Sequence, residues 1–133
     1  MKKALLKIEP DLPDVYIKFM ENYPELLSNT GDASSVEILN KTDDLIDINN
    51  HIKQIHEIDH ASYFAIGHSG CGDYYLIDIN DDDPEVILWD HDMGSLSENE
   101  RYNSIEEFAG YILQSKKELK ALRAPRKRWW NIF

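Results

Sequence analysis

The stretch Ser62-Tyr63-Phe64-Ala65-Ile66-Gly67-His68-Ser69-Gly70-Cys71-Gly72-Asp73-Tyr74-Tyr75-Leu76-Ile77-Asp78-Ile79 decides how the chain is read. Its flanks, residues 62–66 and 73–79, are rich in aromatic and β-branched side chains, which suit a pleated and largely buried surface. Between them Gly67, Gly70 and Gly72 supply the composition of a tight connection. The pattern predicts two neighbouring antiparallel strands. A second turn, Asn80-Asp81-Asp82-Asp83-Pro84, leads into residues 86–91 and a third strand of the same meander. Apolar residues fall on both faces of these strands, so the sheet needs cover on at least one side.

Downstream, Ser104-Ile105-Glu106-Glu107 has the form of a capping box. Ile105, Phe108, Ala109, Ile112, Leu113, Leu119 and Leu122 then recur at helical spacing, giving an apolar stripe that ends before Pro125. Upstream, residues 12–23 predict a helix with Pro13 in its first turn and Asp14 near its positive dipole end. Val15, Tyr16, Phe19, Met20 and Tyr23 share one face of it, and Pro24 disfavours its continuation. Asn29-Thr30-Gly31-Asp32 reads as a turn before a short strand at 36–39. From Thr42 a further helix is expected, with Leu45, Ile46, Ile48 and Ile52 apolar and Asp43, Asp44 and Asp47 exposed. The order predicts an α+β fold, a central antiparallel meander flanked by helices. One domain is expected over residues 1–122, followed by a basic aromatic tail at 123–133.

The 133 residues, 42% of them hydrophobic, suffice for one core. Charge is unevenly placed. Seven basic residues face one acid between Lys116 and Phe133, a net of +6; the whole chain carries −11, so residues 1–115 carry −17. Such a body repels nucleic acid and anionic membranes and steers basic partners toward itself, although acidity also serves solubility alone. The lone Cys71 cannot form an internal disulfide and fits a reducing compartment. Residues 1–7 imitate a signal peptide, but Lys7 and Glu9 interrupt the apolar run before the ~7 residues an h-region needs. No stretch approaches the ~18 apolar residues of a membrane span, so a cytoplasmic location is expected.

Several constellations invite a chemical reading. Gly67-His68-Ser69-Gly70-Cys71 nearly spells a nucleophile elbow, yet Cys71 stands where glycine is required and a strand follows where a helix should. His56, Asp59, His60, His68, Cys71, Asp90, His91 and Asp92 are metal-type ligands, but neither His56 and His60 nor His68 and Cys71 belong to a complete four-ligand pattern. Asp78-Ile79-Asn80-Asp81-Asp82-Asp83 begins like an EF-hand loop, with Asp83 at the turn glycine and Trp89 at the bidentate glutamate. No metal and no cofactor is therefore expected. The tail combines arginines with Trp129, Trp130 and Phe133, which can hold single-stranded nucleic acid or a membrane surface. Folding back on the acid body is the favoured role, because −17 opposes nucleic acid at short range.

Taken in order, these segments resemble a known family. Leu12-Pro13-x-x-Tyr16-x-x-Phe19-Met20 resembles the entry helix of SMI1/KNR4 (SUKH) domains. Phe64-Ala65-Ile66-Gly67-x-x-Gly70-x-Gly72-Asp73-Tyr74-Tyr75-Leu76-Ile77-Asp78 is similar to their central hairpin. Pro84-Glu85-Val86-Ile87-Leu88-Trp89-Asp90-His91-Asp92 looks like the next strand, and Ser104-Ile105-x-x-Phe108-x-x-Tyr111-Ile112 like the closing helix. The resemblance implies an α+β fold without catalytic residues. Its bacterial members commonly bind and neutralise a cognate toxin; fungal relatives act in cell-wall and signalling regulation through protein contacts. Two departures stand out. Only residues 2–9 precede the Leu-Pro entry, too few to pack the helix usual there, and the tail after Leu122 has no counterpart.

The resulting expectation is a protein-binding module, an immunity protein against a toxin with a basic surface such as a nuclease. The alternatives are a regulatory scaffold for a non-toxin partner, and an enzyme or metal protein built on His68, Cys71 and residues 90–92. Charge alone nominates Asp43, Asp44, Asp47, Asp73, Asp81, Asp82, Asp83, Asp90, His91 and Asp92 as interface residues, with solvated surface the competing role for each. Trp89 is expected in the core.

Overall fold

Continuous burial along the central strands, on both of their faces, sets the sheet between two covering layers. In the computed structural model, which describes residues 1–28 and 36–122 and side chains as far as residue 115, β2 (Tyr63–His68) and β3 (Tyr74–Asp78) are antiparallel neighbours. Phe64 stands opposite Ile77, and His68 opposite Tyr74. β4 (Val86–Asp90) continues the meander, with Trp89 opposite Tyr74 and Leu88 opposite Tyr75. A two-residue strand, β1 (Glu37–Ile38), flanks β2, and β5 (Ser95–Tyr102) flanks β4, so the strands lie in chain order β1-β2-β3-β4-β5. The expected turn at 29–32, the tail at 123–133 and the Leu119 and Leu122 side chains lie outside what is described.

Successive strand residues face opposite sides, so Tyr74 and Tyr75 report on different layers. Tyr75 packs its ring 4.4 Å from that of Phe108 on α5 (Ile105–Leu122). Tyr74 meets His51 of α4 (Thr42–Ile52) edge to face at 5.6 Å. Helices therefore cover both faces. α2 (Asp14–Glu21) lies on the α5 side, since Tyr16 touches Phe64 at 5.8 Å and Phe64 shares a face with its register partner Ile77. Phe108, Ile77 and Tyr16 are fully buried, each such apolar side chain contributing about 1.5–3 kcal/mol relative to exposure.

The capping box at the head of α5 forms with its return contact displaced by one residue. The Glu107 N–H donates to Ser104 Oγ at 3.0 Å, while Glu107 Oε2 accepts from the Asn103 N–H at 2.5 Å. The N-terminal expectation needs correction. Residues 2–8 do form a helix, α1 (Lys2–Ile8), which packs against α2 and α4 with Leu5 fully buried. Seven residues suffice because one leucine and the flanks of Leu6 and Ile8 are all that must be covered. A further short turn, α3 (Glu25–Ser28), inserts the buried Leu27 and was not signalled by any periodicity.

β5 was also unforeseen. Its residues Ser97, Glu98, Asn99 and Glu100 break the pairing register with β4, where Ile87 partners Arg101 but Trp89 partners Leu96. This irregularity brings Glu100 over the sheet, where its carboxylate accepts from the buried Tyr75 hydroxyl at 2.7 Å. Burial, reinforced by the adjacent Glu100 charge, holds that phenol well above the ordinary tyrosine range.

At the other edge β1 is too short to satisfy β2. Asn49, buried on α4, takes its place: Nδ2 donates to the Ala65 carbonyl at 3.0 Å and Oδ1 accepts from the Ala65 N–H at 2.8 Å. The carboxamide thus imitates one residue of an adjoining strand. β1 itself crosses so near Gly67 that a Cβ there would stand 2.1 Å from the Glu37 carbonyl oxygen.

Candidate functional site

A meander sends alternate turns to opposite ends. The β2–β3 and β4–β5 turns share one end of the sheet, and the β3–β4 turn occupies the other. Strands of five residues separate these ends by about 15 Å. Asp73, Asp90, His91 and Asp92 consequently gather at the first end, whereas Asp81, Asp82 and Asp83 lie at the far one. Charge nominated both groups, and topology divides them.

The first end also carries a groove. On α4, Asp44, Asp47, Ile48 and His51 follow i, i+3, i+4, i+7 spacing and share a face. That face borders a cavity of about 380 Å³ whose remaining lining is Glu37, Leu39, His68 and Tyr74 from the β1–β2–β3 corner. Leu39, Ile48 and Tyr74 are buried, while the three carboxylates stand around them. His68 Nε2 lies 2.8 Å from Glu37 Oε1, and the Tyr74 hydroxyl pairs with His51 Nδ1. Among the described residues, no lysine or arginine lines the cavity. Asp43, exposed one residue earlier on α4, does not border it.

Beside the groove, one carboxylate ties the two turns together. Asp73 Oδ1 accepts from the His91 backbone N–H at 3.0 Å and contacts His91 Nδ1 at 2.5 Å, while Asp92 Oδ1 lies 3.2 Å from Nε2. Burial pushes the Asp73 pKa upward, but the hydrogen bonds and charge of His91 outweigh it and the net direction is down. The hydrogen bond to Asp73, aided by the charges of Asp92, Asp73 and Asp90, raises the His91 pKa. Gly72 lets the rings and turns approach: its φ is 102°, and a Cβ would lie 3.3 Å from the His91 ring.

Most of the remaining polar residues serve their own turns. Asp78 accepts from the Asn80 N–H at 2.9 Å, Asp81 from the Asp83 N–H at 3.0 Å, and Asp90 from the Asp92 N–H at 2.8 Å. These are Asx turns, so the EF-hand-like spacing reflects backbone geometry. Ser69 is buried and accepts from the Cys71 N–H at 3.1 Å, a turn role where an elbow would present an exposed hydroxyl. Asp73, Asp90 and His91 bring metal-type ligand atoms within 4.8 Å of one another. Asp73 Oδ1 and Asp90 Oδ1 already accept backbone or imidazole N–H groups. Asp59 bonds Ala61 and Ser62, and His60 borders a second cavity with Lys7 and Lys53, away from the turn end. Trp89 is buried and stacked on Tyr74 at 5.9 Å, as expected for a core residue.

Glu37, His51, His68 and Tyr74 were not nominated by charge. His51 was legible as the i+7 continuation of the Asp44 and Asp47 face. The Glu37 and His68 contact depends on β1 register, which no local pattern encodes.

The geometry defines a small α+β domain, one antiparallel sheet between helical layers with an acid-rimmed groove at one end. The model of the SMI1 / KNR4 family (SUKH-1) matches residues 4–110, and the chain belongs to that family. No curated protein and no solved structure matches it. No described helix is long and apolar enough to cross a membrane.

Proposed function

We propose that this protein is an immunity-type binding protein that neutralises a cognate toxin in the cytoplasm by covering a basic surface on it. Family membership over residues 4–110 carries the reading, because bacterial members commonly act in this way. The −17 carried by residues 1–115 points the same reading toward a cationic partner such as a nuclease. Within that surface the end bearing Asp44, Asp47, Asp73, Asp90 and Asp92 is favoured over Asp81, Asp82 and Asp83, since it joins acid charge to a concave groove.

The test is co-expression with a toxin encoded beside this gene. Protected growth together with a co-purifying complex is expected. Toxicity undiminished, with no complex formed, removes the immunity reading and leaves a scaffold for a non-toxin partner.

A further inference from the structure

We propose that the groove between α4 and the β1–β2–β3 corner receives a single arginine side chain of the partner, an assignment that rests on the protein-binding reading above. The cavity has two chemically distinct zones. Buried Leu39, Ile48 and Tyr74 form an apolar floor that suits the methylene stem of a long side chain. Glu37, Asp44 and Asp47 supply three carboxylates at the rim, with no lysine or arginine among the described residues beside them. At about 380 Å³ the space sits low in the ~300–1,000 Å³ range of small-ligand clefts. One extended side chain is of the size that such a space takes.

Arginine is favoured over lysine by the placement of the acids. Asp44 and Asp47 project from a helix and Glu37 from a strand, so the acceptors stand on two walls. A planar guanidinium offers five N–H groups in a fixed fork and can bond carboxylates on both walls at once. An ammonium group is a compact, more strongly hydrated point charge and gains less from that arrangement. Glu37 is also held in place by His68, which limits the ordering cost of binding.

The probes are the N-acetyl amides of arginine, lysine and citrulline, titrated into the full chain and followed by backbone amide chemical shifts. Saturable shifts are expected at Glu37, Asp44, Asp47, His68 and Tyr74, with arginine at least about fivefold tighter than lysine and citrulline inert. Asp44→Asn combined with Asp47→Asn should weaken arginine binding by about tenfold or more. Asp81→Asn combined with Asp82→Asn should leave it unchanged. Glu37→Gln provides an independent check if the α4 double variant is perturbed in fold. Equal shifts from lysine and arginine, or equal shifts around Asp81, overturn the assignment. The amides need no toxin, so the two readings fail separately. Arginine binding with no toxin neutralised removes only the immunity reading, and full neutralisation by the Asp44→Asn, Asp47→Asn variant removes only the arginine groove.

Discussion

At the scale of single residues, two positions show how local chemistry and fold oppose each other. Tyr16 is fully buried, and its hydroxyl finds no hydrogen-bond partner among the described residues. Burial accordingly raises its pKa far above the ordinary tyrosine value. Leaving a buried hydroxyl unpaired costs about 1–3 kcal/mol, so Tyr16→Phe should stabilise the protein by about 1 kcal/mol, read as a higher urea midpoint at constant slope. A lower midpoint would mean that the hydroxyl has a partner. Gly67 presents the reverse case. A methyl group there collides with the Glu37 carbonyl, backbone that cannot rotate away. Gly67→Ala should destabilise by about 1–3 kcal/mol, the usual cost of overpacking, and should loosen β1 first. Hydrogen exchange of the Leu39 N–H, which donates to the Ile66 carbonyl at 2.9 Å, reports that loosening directly.

At the scale of elements, the weakest strand is supported from outside the sheet. Asn49→Ala would strip both backbone groups of Ala65 of their partner in a buried setting. A loss of about 2–4 kcal/mol is expected from two unsatisfied groups, against well under 1 kcal/mol for Asn50→Ala on the exposed face of the same helix. The Asp73–His91 contact between turns adds a pH dependence. His91 has a raised pKa, so its contribution is complete below the ordinary histidine value and disappears as pH rises through the shifted one. Asp73 has a lowered pKa, so its contribution is present above the ordinary aspartate value and vanishes as pH falls through the shifted one. The two overlap between about pH 4 and pH 6.5. Thermal melts should therefore show wild type losing more stability than Asp73→Asn between pH 6 and pH 8.5; parallel losses would deny the coupling.

The elements also explain what could be read beforehand. α2, α4 and α5 were legible because each repeats its apolar residues at helical period, and β2, β3 and β4 because each is a short continuous apolar run bounded by turn signals. The short strand expected at 36–39 is β1, though its close seat beside β2 depends on Gly67; β5 was not legible, since its irregular polar segment conceals the alternation. In the candidate site, Asp44, Asp47, Asp73, Asp90 and Asp92 were visible as charges, but their separation from Asp81, Asp82 and Asp83 follows from strand direction alone. Charge lists carry no information about which turn lies at which end.

At the scale of the whole molecule, salt should act in two opposite senses. Residues 1–115 hold −17 within a domain whose described surface repels itself, and screening shortens the reach of that repulsion from about 30 Å at 0.01 M to about 10 Å at 0.1 M. Compaction becomes less costly as the screening length falls, so the melting temperature should rise between 0.01 M and 0.3 M sodium chloride. The same screening weakens attraction toward a basic partner, so the association rate constant should fall over that interval while dissociation changes less. Solubility alone would produce the first trend without the second. A rate constant indifferent to salt would show that the acid charge does not steer the partner, whatever the complex buries. Neutralising Asp44 and Asp47 should flatten the salt dependence of association more than neutralising Asp81 and Asp82, because only the first pair borders the concave face. Equal flattening by both pairs would assign the steering to net charge and deny the turn end any particular part in the encounter.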